Sequence, residues 1–222
     1  MRLLGRISEA VRGGSRRGGL GGQVLPILAI CIVALMAFAA VGVDMSGAYR
    51  LQADQREALA YVKEYVEAAA PSRKYTSGID SYVDDAKAAI ANTGWGGSYT
   101  IRAYELSAGQ TGSHDRVIGV EVALGGTYHT WLGGFVGRES IGVNSHVTVW
   151  VNHYSKQALQ VPAPGSPVGK MVTSDGASVS QTWGDLPGYL QSAINTGLAN
   201  RSGGRGADVA GDPSGVDGTA CG

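Results

Sequence analysis

The side chains of this 222-residue chain that could do chemistry are four histidines, two cysteines and a scatter of serines and carboxylates. His114, His129, His146 and His153 include no pair at zinc-ligand spacing. His146 and His153 are an odd number of residues apart, so a regular strand points them to opposite faces. Surface or sheet-edge positions are expected for all four. Cys31 and Cys221 are too few for a thiolate zinc site or a disulfide framework. Ser15 and the other serines lack the G-x-S-x-G turn that exposes a nucleophile. The glycine pairs Gly13-Gly14, Gly18-Gly19 and Gly21-Gly22 contain no G-x-x-x-x-G-K-[ST] loop, so phosphates have no cradle. These readings predict no catalytic residue, no metal and no cofactor, and a chain that is not an enzyme. The 18 basic and 18 acidic residues cancel, which argues against a nucleic-acid partner.

The informative pattern lies in the elements. Residues 1–23 carry Arg2, Arg6, Arg12, Arg16 and Arg17 against one acid, Glu9. From Val24 to Val43 the chain then has no charge, and Asp44 ends the run. A helix of that length matches a hydrocarbon core of about 30 Å. Val24, Pro26, Leu28, Ile32, Leu35, Phe38 and Val43 are the predicted membrane-anchor residues, with Pro26 in the first turn, where its missing N–H does little harm. Arg12, Arg16 and Arg17 on one side and Asp44 on the other set the predicted topology: N-terminus cytoplasmic, everything beyond Asp44 extracytoplasmic, in a single-pass membrane protein. Ala37-Phe38-Ala39 fits a signal-peptidase site formally, but apolar character continues to Val43 without a polar cleavage region, which favours a retained anchor. That topology puts Cys31 in lipid and Cys221 outside, so the two cannot pair. Ala29, Ala34, Ala37, Ala40 and Gly42 offer a face for a second copy, as in a homo-oligomer, or for a neighbouring membrane protein.

Residues 44–71 extend the helix as a stalk. They are rich in helix formers, carry an apolar stripe (Leu51, Leu59, Val62, Val66, Ala69) and an i,i+4 pair (Lys63, Glu67), and stop at Pro71. A continuous helix from Val24 to Ala70 spans about 70 Å, half of it beyond the lipid. Gly42 and Gly47 are its weak points, each costing about 1 kcal/mol against alanine.

This N-terminal third resembles the TadE/TadG-like proteins of the bacterial tight-adherence (Flp) pilus assembly system. The matching residues are Arg17-Gly18, Gln23 and Pro26, then Val43-Asp44, Tyr49, Leu51-Gln52 and the alanines Ala58, Ala60 and Ala68 to Ala70. Ala53-Asp54-Gln55-Arg56-Glu57 departs from the family's smooth alanine tract. The resemblance implies a structural role in a surface pilus or secretion apparatus, with other pilus-assembly proteins or pilin subunits as partners. A prepilin cut at Gly22-Gln23 would put Ile27 at the fifth mature position, where prepilins resembling this arrangement carry glutamate, so an accessory component is expected and not a processed major pilin. Asp44-Met45-Ser46-Gly47-Ala48 partly resembles the D-x-S-x-S metal loop of von Willebrand A domains, with alanine replacing the last serine.

Residues 72–155 form the predicted exported domain. Ile79, Tyr82, Val83, Ala86, Ala89 and Ile90 mark an amphipathic helix. Strands are predicted at 99–106, at 116–124 with Gly125-Gly126 as terminator, and at 143–154, with a short helix or turn at 130–135 that uses Trp131 and Phe135 as anchors. An antiparallel sheet covered by helix on one face follows, completed by the stalk. Residues 156–222 read as a largely irregular Gly/Pro-rich tail with a short helix at 187–199, defined by Leu186, Leu190, Ile194 and Leu198. The tail is either irregular chain or a docking segment. The fold class is therefore α+β: a transmembrane helix continuing into a stalk, a small antiparallel domain and a tail. Two functions follow: a membrane-anchored TadG-like component of a Flp-type pilus or related secretion apparatus, or an exported, adhesin-like binding module with a retained signal anchor.

Overall fold

A computed structural model describes residues 21–73, 78–107, 115–137, 139–153, 169–200 and 204–208. The first element, α1, runs unbroken over Gly21–Ala69, and 49 residues of helix extend about 73 Å. Its two halves live in different surroundings. From Leu25 to Val43 the large apolar side chains are exposed, whereas Ala48, Leu59, Val62 and Val66 are buried. The stripe at helical spacing faces the sheet. A 3₁₀ turn, Ala70–Arg73, ends α1, and α2 follows at Gly78–Thr93. The Arg73 guanidinium straps the two helices together, donating to both Asp85 oxygens at 2.9 and 2.6 Å. Gly94, at φ 71°, closes α2, its N–H reaching the Ala91 carbonyl at 3.2 Å.

Strands β1 (Ser98–Ser107), β2 (Arg116–His129), β3 (Ser140–Asn152), β4 (Gly169–Thr173), β5 (Ser178–Gln181) and β6 (Gly204–Asp208) form one antiparallel sheet in the order β5-β4-β1-β2-β3-β6. Between β5 and β6 lies the third helix, α3 (Gly188–Ala199). The fold is α+β, as its alternating patterns predict.

Strand alternation divides the core in two. Ile101 and Ala103 of β1, Ile118, Val120, Val122 and Leu124 of β2, and Val147, Val149 and Val151 of β3 pack under α1 and α2. On the opposite face Tyr104, Leu106 and Val117 meet Leu186, Leu190 and Ile194. Gly119 makes room for α3: a Cβ there would sit 2.5 Å from Ile194 Cγ1.

Three expectations are corrected. The sheet is covered on both faces, because α3 is amphipathic and β2 is buried on both parities. Residues 169–208 are not an irregular tail. They supply half the strands and the second helical layer, and 155 is no domain boundary; the helix expected at 187–199 is present as α3. Finally, β2 passes through Gly125-Gly126 to His129. Those glycines clear space: a Cβ on Gly126 would lie 3.2 Å from Leu51 Cδ2 and 3.3 Å from Gln55 Nε2, where α1 crosses the strand.

Candidate functional site

The apolar half of α1 ends at Asp44, and there the sheet grips the helix. The grip starts from a carboxylate at the end of an apolar run and a hairpin tip that needs acceptors. The β2–β3 connection, Thr130 to Glu139, opens with Thr130 N–H on the Glu139 carbonyl at 3.0 Å. Its next three amides have no strand partner and turn to Asp44. Trp131 N–H donates to Oδ1 at 2.8 Å, and Leu132 and Gly133 donate to Oδ2 at 3.2 and 3.0 Å. Asp44 is 5% exposed, so these three donors replace its hydration. A 3₁₀ turn, Gly133–Val136, closes the tip, with Gly137 at φ 79° donating to the Gly134 carbonyl.

One turn on, the Tyr128 ring lies so close against Gly47 that a Cβ would fall inside it. Further along, Gln55 is fully buried, donating from Nε2 to the Val143 carbonyl and accepting from Ser145 Oγ, both at 2.8 Å. Asp44, Gly47 and Gln55 thus fasten about three turns of α1 to the β2–β3 hairpin. The hairpin tip overhangs the apolar helix. Between them runs a groove of about 660 Å³, walled by Val33, Met36, Ala37, Ala40 and Val41 on one side and Leu132 on the other.

A second polar cluster lies between the sheet and α3. Glu121 is fully buried and pairs across the ladder with Arg102 at 2.8 Å. Its other oxygen accepts the Tyr189 hydroxyl at 2.5 Å, and His146 stacks on the Tyr189 ring at 4.3 Å. Burial, and then the bond to Glu121, raises the Tyr189 pKa. The Tyr82 hydroxyl meets His153 Nε2, and burial holds its pKa up as well. With both oxygens of Glu121 occupied, this cluster latches α3 to the sheet.

Of the predicted anchor residues, Leu28, Ile32, Leu35, Phe38 and Val43 are all exposed, Pro26 sits inside the first turns of α1, and Val24 lies in the same helix. Arg12, Arg16, Arg17 and Cys221 lie outside the described residues. Cys31 is a free, exposed thiol on the apolar half. Asp44, marked by the sequence as the end of the span, is instead a buried clamp; its oxygens accept amides, and Ser46 Oγ donates to the Val43 carbonyl at 2.7 Å. Trp131 is not a core anchor but is 83% exposed. His146 and His153 do fall on opposite faces; half-buried His146 lies on β3 outside its ladder with β6, at the sheet edge as expected, whereas His153 is buried, contrary to the expectation. Two functional residues were missed. Gln55 shares the phase of Leu51 and Leu59, so the apolar stripe already marked it as inward. Glu121 interrupts an alternating apolar strand, the usual mark of a buried charge with a partner.

These features define a class: a small α+β head clamped to the end of one helix that, among the described residues, is the one long and apolar enough to cross a membrane. Residues 22–59, from the start of that helix through the clamp to Gln55 and beyond, match the family model described as putative Flp pilus-assembly TadE/G-like. No curated protein and no solved structure matches the chain.

Proposed function

We propose that the chain is a membrane-anchored structural or assembly component of a Flp-type pilus or related secretion apparatus, TadG-like in role, and that it works by binding other subunits and not by catalysis. The anchor is retained, the N-terminus is cytoplasmic and the head is extracytoplasmic. The observation that carries this reading is the continuity of α1: one helix has an exposed apolar half and a packed half, joined at a clamped residue, Asp44. A helix built that way transmits orientation from the bilayer to the head without a hinge. The family match over residues 22–59 supports the pilus connection. Partners are pilus-assembly proteins or pilin subunits, and a second copy.

The test is recovery of the tagged full chain from membranes. Resistance to carbonate extraction, an intact arginine-rich start and a C-terminal tag accessible only from outside are expected, together with pilus-assembly subunits in the purified complex. A start at Ala40 would mean secretion, and a start at Gln23 prepilin processing. An anchored chain that brings down no such subunit would favour a surface binding module.

A further inference from the structure

The tip of the β2–β3 hairpin lies beside residues that, on the anchored reading, are inside the bilayer. Leu132 and Gly133 share a groove of about 660 Å³ with Val33, Met36, Ala37 and Ala40, which lie one to three turns below Asp44 on the apolar half of α1. The tip therefore points along the helix towards its exposed end. Residues Thr130 to Gly137 carry no charge in the sequence, although 16% of the whole chain is charged. Trp131, at the outer corner of the tip, is 83% exposed. A tip uncharged from Thr130 to Gly137, with an open tryptophan and followed in sequence by Arg138 and Glu139, suits the region where headgroups meet acyl chains.

Irregular backbone enters such a region only when its amides are satisfied within the protein. Asp44 meets that condition for the first three amides of the tip, its carboxylate taking the N–H groups of Trp131, Leu132 and Gly133, and a 3₁₀ turn follows at Gly133–Val136. The same contact shields the carboxylate from lipid. The clamp thus solves two problems at one depth: it covers the charge that ends the span and makes the loop compatible with lipid.

We infer that the Trp131–Val136 hairpin tip is a second membrane contact, seated in the outer leaflet with Trp131 at headgroup level and acyl chains filling the groove beside α1. The occupant is lipid and not another protein, because the groove is continuous with the apolar helix surface that the anchored reading already assigns to the bilayer. With two contacts, one spanning and one interfacial, the head is held at a set depth and tilt relative to the bilayer. The inference rests on the anchored reading under Proposed function.

The test uses the full chain in vesicles of phosphatidylcholine and phosphatidylglycerol, with part of the phosphatidylcholine brominated on the upper acyl carbons, which quenches nearby tryptophan emission. The expected result is a loss of emission in the wild type that Trp131→Phe abolishes, since Trp95, Trp150 and Trp183 sit in the head. Circular dichroism of the variant should match the wild type, because the replaced side chain is exposed. Equal quenching of both proteins, in a chain that still resists carbonate, overturns the inference and leaves the anchor intact. Release by carbonate overturns the anchored reading itself. Quenching that disappears as protein density rises would show a second copy covering the tip, which also overturns it.

Discussion

Asp44 carries the charge at the end of an apolar helix, yet it is buried and bonded to three amides of one loop. Removing the carboxylate leaves those amides without acceptors, a loss of about 1–3 kcal/mol for buried polar groups stripped of a charged partner. Asp44→Ala should therefore free the hairpin tip: limited proteolysis should cut between Thr130 and Glu139 in the variant and spare the wild type. Two glycines nearby make a matched pair. Gly47 underlies the Tyr128 ring and has no room for a methyl group, whereas Gly42 has nothing within 4 Å of its virtual Cβ. Gly47→Ala should lower stability by about 1–3 kcal/mol through overpacking, despite its better helix propensity. Gly42→Ala should be neutral or slightly stabilising. Thermal melting of the two variants in the same detergent checks the contrast.

Elements are held to one another by a few buried or half-buried polar bonds laid over apolar contact. The Tyr82 hydroxyl ties α2 to His153 beyond β3, and Tyr189 ties α3 to Glu121 of β2. In both tyrosines burial is the main cause of a raised pKa, but Tyr82 is fully buried whereas Tyr189 is 41% exposed, so solvent screens its share and Tyr82 carries most of the effect. The unfolded chain releases these protons near the ordinary value of 10.0, while the folded chain keeps them to higher pH. Below pH ~10 their contribution is fully present, and above it stability falls as pH rises towards the folded values. The urea midpoint should accordingly drop above pH 10. Tyr82→Phe should lower stability at neutral pH by about 1 kcal/mol for the lost hydrogen bond, yet flatten the alkaline decline. A variant with the same alkaline slope as the wild type would contradict this account.

At the scale of the whole molecule, the head is a sheet with a helical layer on each face, and the chain beyond 155 builds one of those layers. Ending the chain at 155 removes β4, β5, α3 and β6. Tyr104, Leu106 and Val117 would then face water, Glu121 would lose Tyr189, and both edges of the three remaining strands would be open. The truncated protein should aggregate or lack cooperative melting in calorimetry, while the full chain should melt cooperatively. The same architecture joins the exposed apolar half of α1 to the head: one continuous helix belongs to both, so on the proposed anchored reading a load on the head would reach the bilayer through it.

How much was legible depended on the range of the interactions. Local patterns were read correctly: the uncharged run after the arginines, the helical stripe of Leu59, Val62 and Val66, the parity of Val147, Val149 and Val151, and α3 from Leu186, Leu190 and Ile194. Each is a periodicity of the chain itself, so neighbouring residues suffice to reveal it. The strands in the presumed tail were missed because β4 and β6 are short and polar or glycine-rich; only their ladders with β1 and β3 make them strands. Nor could chain order disclose the clamp. Asp44 and Trp131 are 87 residues apart, and nothing local distinguishes a carboxylate that ends a membrane span from one that receives the amides of a distant hairpin. The exposed apolar half of α1 follows from solvent preference, which each side chain carries with it; the junction depends on which long-range pairing buries a charge at least cost, and that exists only once the sheet has formed around α1.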